Sequence, residues 1–148
     1  MITTLSLDLH RLASAVAKAE ALVGVSNGLS HPEMRHVRLK TFAAIAGCRL
    51  TLHNQADLIG EDDPARASLM RGLAWRWIML DSRFRAFVGK HRIDASCKHD
   101  YAADANAMIA AIREHIAATM LVAADPGRFA IGDAMPRSAY KGGMVYGG

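Results

Sequence analysis

Three residues that could bind a metal ion lie close together in one short stretch of the chain: His91, Cys97 and His99. Imidazole nitrogen and thiolate sulfur are ligands that zinc prefers, but this spacing matches no known ligand pattern and no fourth ligand is evident. We therefore interpret the stretch as a polar connector. Glu33 and His36 have the Glu-x-x-His spacing of carboxylate-bridged di-iron bundles, which need two such pairs. The second pair is missing, so we predict no metal and no cofactor.

Arg85 and His91 lie six positions apart in the segment FRAFVGKH, which spans residues 84–91. The pair resembles the Arg-x4-6-His motif of the HEPN superfamily, whose members are helical bundles and include many ribonucleases. The resemblance covers eight residues, and it implies that Arg85 steadies the charge of a scissile phosphate while His91 transfers a proton. The chain has no glycine-rich phosphate loop and no nucleotide-binding fingerprint. A ribonuclease is therefore the weakest of three functions that we consider, and we expect a protein that is not an enzyme.

Arginine is common on two of the predicted helices, where it could track a phosphate backbone while a Trp side chain stacks on a base. Alternatively, arginine stems cover apolar surface and the guanidinium groups pair with acids of neighbouring helices or subunits. We favour the second interpretation, because the basic residues do not run together and Asp81 lies among them. The candidate nucleic-acid contacts under the first interpretation are Arg35, Arg38, Trp75, Arg76, Arg83 and Arg85.

The composition is that of an ordinary globular chain with one domain. The 148 residues are 51% hydrophobic and 22% charged, which allows a real core and argues against wholesale disorder. A net charge of +4 permits contact with nucleic acid but does not require it. No stretch has the order of a secretory signal or the length of a membrane span, so we expect a cytoplasmic protein without a membrane partner. Its two cysteines, Cys48 and Cys97, are then reduced and buried.

The segment from Pro64 to Val88 is the predicted central helix of the fold. Asp63 can cap it, Pro64 suits the first helical position, and Gly89 is expected to end it. Its large apolar residues recur at spacings of three and four, which places them on one stripe that faces partner helices. That stripe consists of Leu69, Leu73, Trp77, Leu80, Phe84 and Phe87. We expect the second Trp residue, Trp75, to face a partner helix as well.

The first and last predicted helices each carry one apolar seam. The first begins at a threonine cap at residue 3 or 4 and ends at Gly24; its opening letters also alternate like a strand, but the seam continues without a break signal. Its seam consists of Leu5, Leu9, Leu12, Val16, Ala19 and Val23. The last begins at Asp94 or Ser96 and ends before Asp125. Its seam consists of Tyr101, Met108, Ile112, Ile116 and Met120, with Ile109 beside them.

The second predicted helix has a clear start signal and a broad apolar surface. Ser30 and Glu33 match a capping box, in which each side chain accepts the backbone N–H of the other residue, and Gly60 ends the helix. Apolar residues spread widely around its axis, which indicates burial on more than one side. These residues are Met34, Val37, Phe42, Ile45, Ala46, Leu50 and Leu52.

Four helices with short connections make an up-down-up-down four-helix bundle the expected architecture, so the predicted fold class is all-α with residues 1–125 as the domain. Residues 126–148 are predicted to form an extended, glycine-rich C-terminal arm, because no helical period fits them. Single large side chains alternate there with small residues that let a backbone lie close to a partner. The expected anchors on that partner are Phe129, Ile131, Met135, Tyr140, Met144 and Tyr146.

The arm and the lack of a convincing catalytic set favour a structural or assembly subunit. We expect a homo-oligomer, or an assembly with other structural subunits, in which the arm docks on a neighbour. Helical connector proteins of phage and virus-like particles, which form rings between portal and tail, are built in a similar way. A head-tail connector or another virion component is therefore one form of this hypothesis. The alternative is a nucleic-acid-binding subunit of a ribonucleoprotein complex.

Overall fold

The computed structural model describes residues 4–25, 29–93 and 100–124, and these residues form four α-helices. Consecutive helices pack on each other and the first also packs on the last, so the four surround one core. The all-α four-helix bundle predicted from the sequence is confirmed. The helices are α1 (Thr4–Val23), α2 (Met34–Ile59), α3 (Pro64–Lys90) and α4 (Tyr101–Ala124).

The ends of α3 follow the sequence signals in part. The Asp63 carboxylate accepts a backbone N–H of the first turn at 3.2 Å and Pro64 occupies the first position, as predicted. The predicted stop at Gly89 is wrong, because α3 continues through this glycine and the N–H of His91 still donates to the Phe87 carbonyl at 2.9 Å. A single glycine weakens a helix by only about 1 kcal/mol, which does not end it while the backbone ladder persists.

The start of α2 differs from the predicted capping box. The helix begins at Met34, and its N-cap is Glu33, which makes no side-chain capping hydrogen bond. A tight turn precedes it, in which the Met34 N–H donates to the His31 carbonyl at 2.9 Å. The Glu33 N–H, which the box assigned to Ser30, donates to Nδ1 of His31 at 3.1 Å. The neighbouring imidazole thus acts as an acceptor that the sequence pattern did not take into account.

The core is built from the stripes that periodicity predicted on α1, α3 and α4. Trp77 is fully buried, and its indole N–H donates to the Thr119 hydroxyl of α4 at 2.9 Å. Phe42 and Phe84 meet edge to face with ring centres 4.6 Å apart, which joins α2 to α3. The predicted stripe residues that are buried are Leu5, Leu9, Leu12, Val16, Leu69, Leu73, Trp77, Leu80, Phe84, Met108, Ile109, Ile112 and Ile116.

Several apolar residues lie outside the core, contrary to the predictions. Trp75 on α3 is 60% exposed, so only one of the two Trp residues faces a partner helix. On α2, Leu50 is 54% exposed and Ala46 is exposed too. Met120 on α4 is exposed as well. The reason is geometric: each helix has two neighbours in the bundle, and these cover one stripe of its surface rather than its whole circumference.

Gly47 of α2 faces Asp8 of α1 at close range. A Cβ atom at Gly47 would lie 2.7 Å from Oδ2 and 2.8 Å from Cγ of Asp8, closer than real Cβ atoms come. Cys48 beside it is buried, as predicted, and burial raises the pKa of its thiol to about 12, with a smaller effect of the Asp8 charge. Cys97 lies outside the described residues. The predicted start of α4 at residue 94 or 96 is wrong, because α4 begins at Tyr101 and Asp100 before it has a φ of 67°, which is not helical.

Candidate functional site

Arg38 on α2 carries a positive charge into the bundle, where the residue is 6% exposed. Its guanidinium carbon lies 5.6 Å from the centre of the Phe87 ring of α3, which attracts the cation. Nε and Nη2 of Arg38 are buried and have no hydrogen-bond partner among the described residues. Burial lowers the pKa of Arg38, yet a guanidinium group stays charged in proteins. Because a buried charge without hydrogen bonds is costly, we centre the candidate site on this residue.

Arg38 lines two spaces of different character. The inner one is an apolar cavity of about 30 Å³ inside the bundle, which has room for one or two water molecules. The outer one is an open groove of about 370 Å³ between the start of α2 and the end of α3, which we name the Arg38 groove. Its charged lining residues in the described part of the chain are Arg35, Arg38 and Arg92. Its apolar lining residues are Leu39, Phe42, Val88 and Ile93.

His91 follows α3 directly and is buried against the first turn of α4. Its Nε2 lies 2.7 Å from Oδ2 of Asp104, and the Lys90 ammonium lies 2.9 Å from the same oxygen. Hydrogen bonds from His91 and then Lys90 lower the pKa of the Asp104 carboxyl. The Phe87 and Tyr101 rings pack on the imidazole with centres 5.2 and 5.6 Å away. A carboxylate that holds one ring nitrogen orients the imidazole, and here it also fastens α3 to α4.

The two side chains of the predicted nuclease pair, Arg85 and His91, contact different partners. Nε of Arg85 donates to Oδ2 of Asp81 at 2.8 Å, and the guanidinium carbon lies 5.1 Å from the centre of the Phe42 ring of α2. His91 instead contacts α4. Six positions along a helix correspond to a rotation of about 240°, so the two side chains leave α3 in different directions.

The candidate metal ligands do not converge where the structure describes them. Within residues 4–25, 29–93 and 100–124, no group of three or more His, Cys, Asp or Glu side chains could hold a metal ion. Of the predicted zinc ligands, Cys97 and His99 lie outside these ranges. Glu33 and His36, the predicted half of a di-iron site, are both exposed at the start of α2.

Three of the predicted nucleic-acid contacts, Trp75, Arg76 and Arg83, are exposed on α3. Arg76 and Arg83 lie two turns apart, and both contribute to a lowered pKa of His115 on α4, although burial is the larger cause. The two guanidinium groups therefore lie on the side of α3 that is near α4. The other three predicted contacts, which lie elsewhere, are Arg35, Arg38 and Arg85.

Apolar side chains face outward from both helices of the α2–α3 hairpin. The ring contact of Phe42 with Phe84 and the ion pair of Asp57 with Arg71, whose Oδ1 and Nη2 atoms are 3.6 Å apart, set an antiparallel register. In this register Leu50 of α2 lies at about the same height as the exposed apolar residues in the middle of α3. We name this surface the outer α2–α3 face; its residues are Leu50, Trp75, Ile78 and Met79.

A second groove, which the sequence analysis missed, lies between α1 and α2 and has a volume of about 370 Å³. We name it the α1–α2 groove. Asp8 lies in it, with its Oδ1 3.8 Å from Nη1 of Arg11. Its basic and imidazole side chains are His10, Arg11, Lys18, His36 and Lys40. A signal existed in the sequence, because these residues recur near the helical period on the polar side of each helix.

The comparisons with known proteins add no relative. No protein-family model matches the chain, and no curated protein or solved structure matches it either. None of the helices in the described ranges is long and apolar enough to cross a lipid bilayer. The predicted arm, with its anchors from Phe129 to Tyr146, lies outside the described residues.

Proposed function

We propose that this protein is a non-enzymatic assembly subunit that forms a homo-oligomer through its outer α2–α3 face. The observation that supports this proposal is the exposure of Trp75, which is 60% exposed and has Met79 one turn away at 54%. Single exposed apolar residues are ordinary on a protein surface. A cluster that includes a large aromatic side chain is typical of protein–protein interfaces, where Trp often contributes most of the binding energy.

The polar edge of this face fits the same proposal. Arg71 pairs with Asp57 across the two helices, and Arg85 pairs with Asp81 on α3. Exposed ion pairs of this kind contribute little to stability. At the rim of an interface they exclude competing partners and help to fix the orientation of the bound subunit.

Two finer parts of the proposal concern the rest of the chain. The arm of residues 126–148 docks on a neighbouring subunit, with Phe129, Tyr140 and Tyr146 among its anchors. The assembly is a ring of the kind that connects head and tail in phage-like particles. Both parts come from the sequence pattern and from architecture alone.

The test is the molar mass of the protein in solution, measured by light scattering behind a sizing column. The variant Trp75→Ser/Met79→Ser removes the centre of the outer α2–α3 face. Leu58→Ser is the matched control, because Leu58 is 81% exposed but belongs to neither that face nor either groove. We expect the unchanged chain and the control to be multimers and the double variant to be a smaller species. Equal masses for all three would contradict the proposal.

A second candidate function is the binding of nucleic acid, which the α1–α2 groove supports. Five basic or imidazole side chains line that groove and the net charge of the chain is +4. Lysine and arginine side chains that contact phosphates release counterions, so binding weakens as salt rises. Trp75 with Arg76 and Arg83 offers a second surface of suitable chemistry, in which a base stacks on the indole.

Fluorescence anisotropy with a labelled single-stranded RNA tests this second function. Lys18→Glu/Lys40→Glu changes the α1–α2 groove, and Arg76→Glu/Arg83→Glu changes the surface beside Trp75 with the same change in net charge. We expect an affinity for RNA that falls steeply as salt rises. We also expect one of the two double variants to lose more affinity than the other. Absent binding, or binding that salt does not weaken, would rule out this function.

A further inference from the structure

We propose that the Arg38 groove binds an organic carboxylate with an apolar body, such as a medium-chain fatty acid. The proposal does not depend on self-association, because the groove and the outer α2–α3 face share no residues. It rests on two buried guanidinium nitrogens that have no hydrogen-bond partner among the described residues, on the charge of their neighbours and on the apolar walls of the groove.

The buried guanidinium group points to an anionic head group. Nε and Nη2 of Arg38 have no hydrogen-bond partner within the described residues, although the residue is 6% exposed. Nη and Nε of one guanidinium group form a fork that matches the two oxygens of a carboxylate. A carboxylate at this position would satisfy both N–H groups and neutralise a charge that is otherwise buried.

The neighbours of Arg38 also favour a negatively charged ligand. Arg35 and Arg92 line the groove with it, and the charged lining residues in the described ranges are all arginines. Three guanidinium groups around one groove raise the local concentration of anions. This positive charge distinguishes the groove from a site for a neutral ligand.

The walls of the groove indicate that the rest of the ligand is apolar. The apolar side chains that line it are those of Leu39, Phe42, Val88 and Ile93. The volume of about 370 Å³ lies within the range of small-molecule sites. A free inorganic anion would leave these apolar side chains in contact with water, whereas a short alkyl chain would cover them.

Arg38 can meet such a ligand by a small rotation of its side chain. The residue lines the inner cavity as well as the groove, and Phe87 holds its guanidinium group by a cation–π contact. Turning toward the groove exchanges that contact for charge-assisted hydrogen bonds, which are the stronger interaction. The open groove of about 370 Å³ supplies room for this motion.

Isothermal titration calorimetry of the full chain with sodium octanoate tests the proposal. Octan-1-ol has the same alkyl chain without the charge and is the ligand control. Arg38→Met removes the guanidinium group and keeps an apolar stem of similar length. Arg83→Met makes the same change in net charge on an exposed arginine outside the groove and is the protein control.

We expect one octanoate per chain, no measurable binding of octan-1-ol, and a loss of affinity of about tenfold or more in Arg38→Met but not in Arg83→Met. Without ligand, Arg38→Met should unfold at the same urea concentration as the unchanged chain or a higher one, because it removes a buried charge whose Nε and Nη2 have no partner among the described residues. Octanoate should raise the urea midpoint of the unchanged chain and of Arg83→Met, but not that of Arg38→Met.

Three results would overturn the proposal. The first is no octanoate binding to the unchanged chain, which would leave water in the inner cavity as the partner of Arg38. The second is equal binding of octanoate and octan-1-ol, or equal binding to Arg38→Met. The third is a clear loss of stability in Arg38→Met without ligand, because it would mean that the guanidinium group already has a partner within the chain.

Discussion

Replacing Gly47 by alanine should destabilise the bundle, although the same change usually stabilises a helix. Alanine in a helix interior is more favourable than glycine by about 1 kcal/mol. At Gly47 the new methyl group would lie 2.7 to 2.9 Å from three atoms of the Asp8 carboxylate, which must then move. Overpacking of this kind costs about 1–3 kcal/mol, so we expect a net loss of about 1 kcal/mol in the free energy of unfolding.

The effect of Gly47→Ala on stability should reverse its sign when the Asp8 side chain is shortened. In an Asp8→Ala background no carboxylate meets the new methyl group, so Gly47→Ala should stabilise by about 1 kcal/mol. The two changes are therefore coupled by about 2 kcal/mol. Asp8→Asn is the control for charge: it keeps the shape of the side chain, so Gly47→Ala should still destabilise in that background.

Urea unfolding followed by far-ultraviolet circular dichroism measures all of these variants. The reasoning would be refuted if Gly47→Ala changed the free energy of unfolding equally in the original and Asp8→Ala backgrounds. Such a result would mean that the Asp8 carboxylate does not oppose a methyl group at residue 47.

Two further predictions concern the contacts of α4. Thr119→Val keeps the shape of the side chain but leaves the buried indole N–H of Trp77 without an acceptor, so urea unfolding should show a loss of about 1–3 kcal/mol, and no loss would contradict the hydrogen bond. Asp104→Asn removes the charge that His91 and Lys90 stabilise. Because the folded-state pKa of Asp104 is lowered from 3.8, its contribution is complete above that value and is lost as the pH falls through the lowered value. At neutral pH the urea midpoint of Asp104→Asn should therefore differ from that of the unchanged chain, and in acid the two midpoints should be equal. A difference that does not change with pH would contradict this linkage.

The parts of the fold that the sequence predicted well depend on local information. The Asp63 cap and the stripe of α3 need only the neighbours of each residue along one helix, and both were confirmed. The predicted burial of Trp75 and Leu50 failed for a different reason. Periodicity says that a residue lies on an apolar side of its helix, but only the arrangement of the other helices decides which side is covered.

The candidate site was harder to predict, because charge and burial gave opposite signals. Arg38 lies four positions after Met34 and seven before Ile45, so it falls on the buried stripe of α2. Arginine is usually a surface residue, and the sequence analysis therefore treated Arg38 as one. The contact of His91 with Asp104 could not be found from spacing, because it joins two helices across their connector. Both features depend on how α2, α3 and α4 meet at one end of the bundle.

The contacts of Arg85 and His91 bear on the nuclease resemblance. Arg85 has Asp81 and Phe42 as neighbours, whereas His91 has Asp104. A ribonuclease would need both side chains at one phosphate, so both would have to leave these partners. If purified protein nevertheless cut RNA and His91→Ala abolished the cutting, the non-enzymatic proposal would be wrong.

Self-association is best tested by the molar mass of the full chain, measured by light scattering over a range of concentrations beside a chain that ends at Asp125. We expect a defined multimer of the 16.0 kDa chain, and a smaller or less stable assembly when the arm is absent. A full chain that remains a monomer at every concentration would contradict self-association. In that case the outer α2–α3 face would not join copies of this chain, and the basic α1–α2 groove would become the leading functional surface.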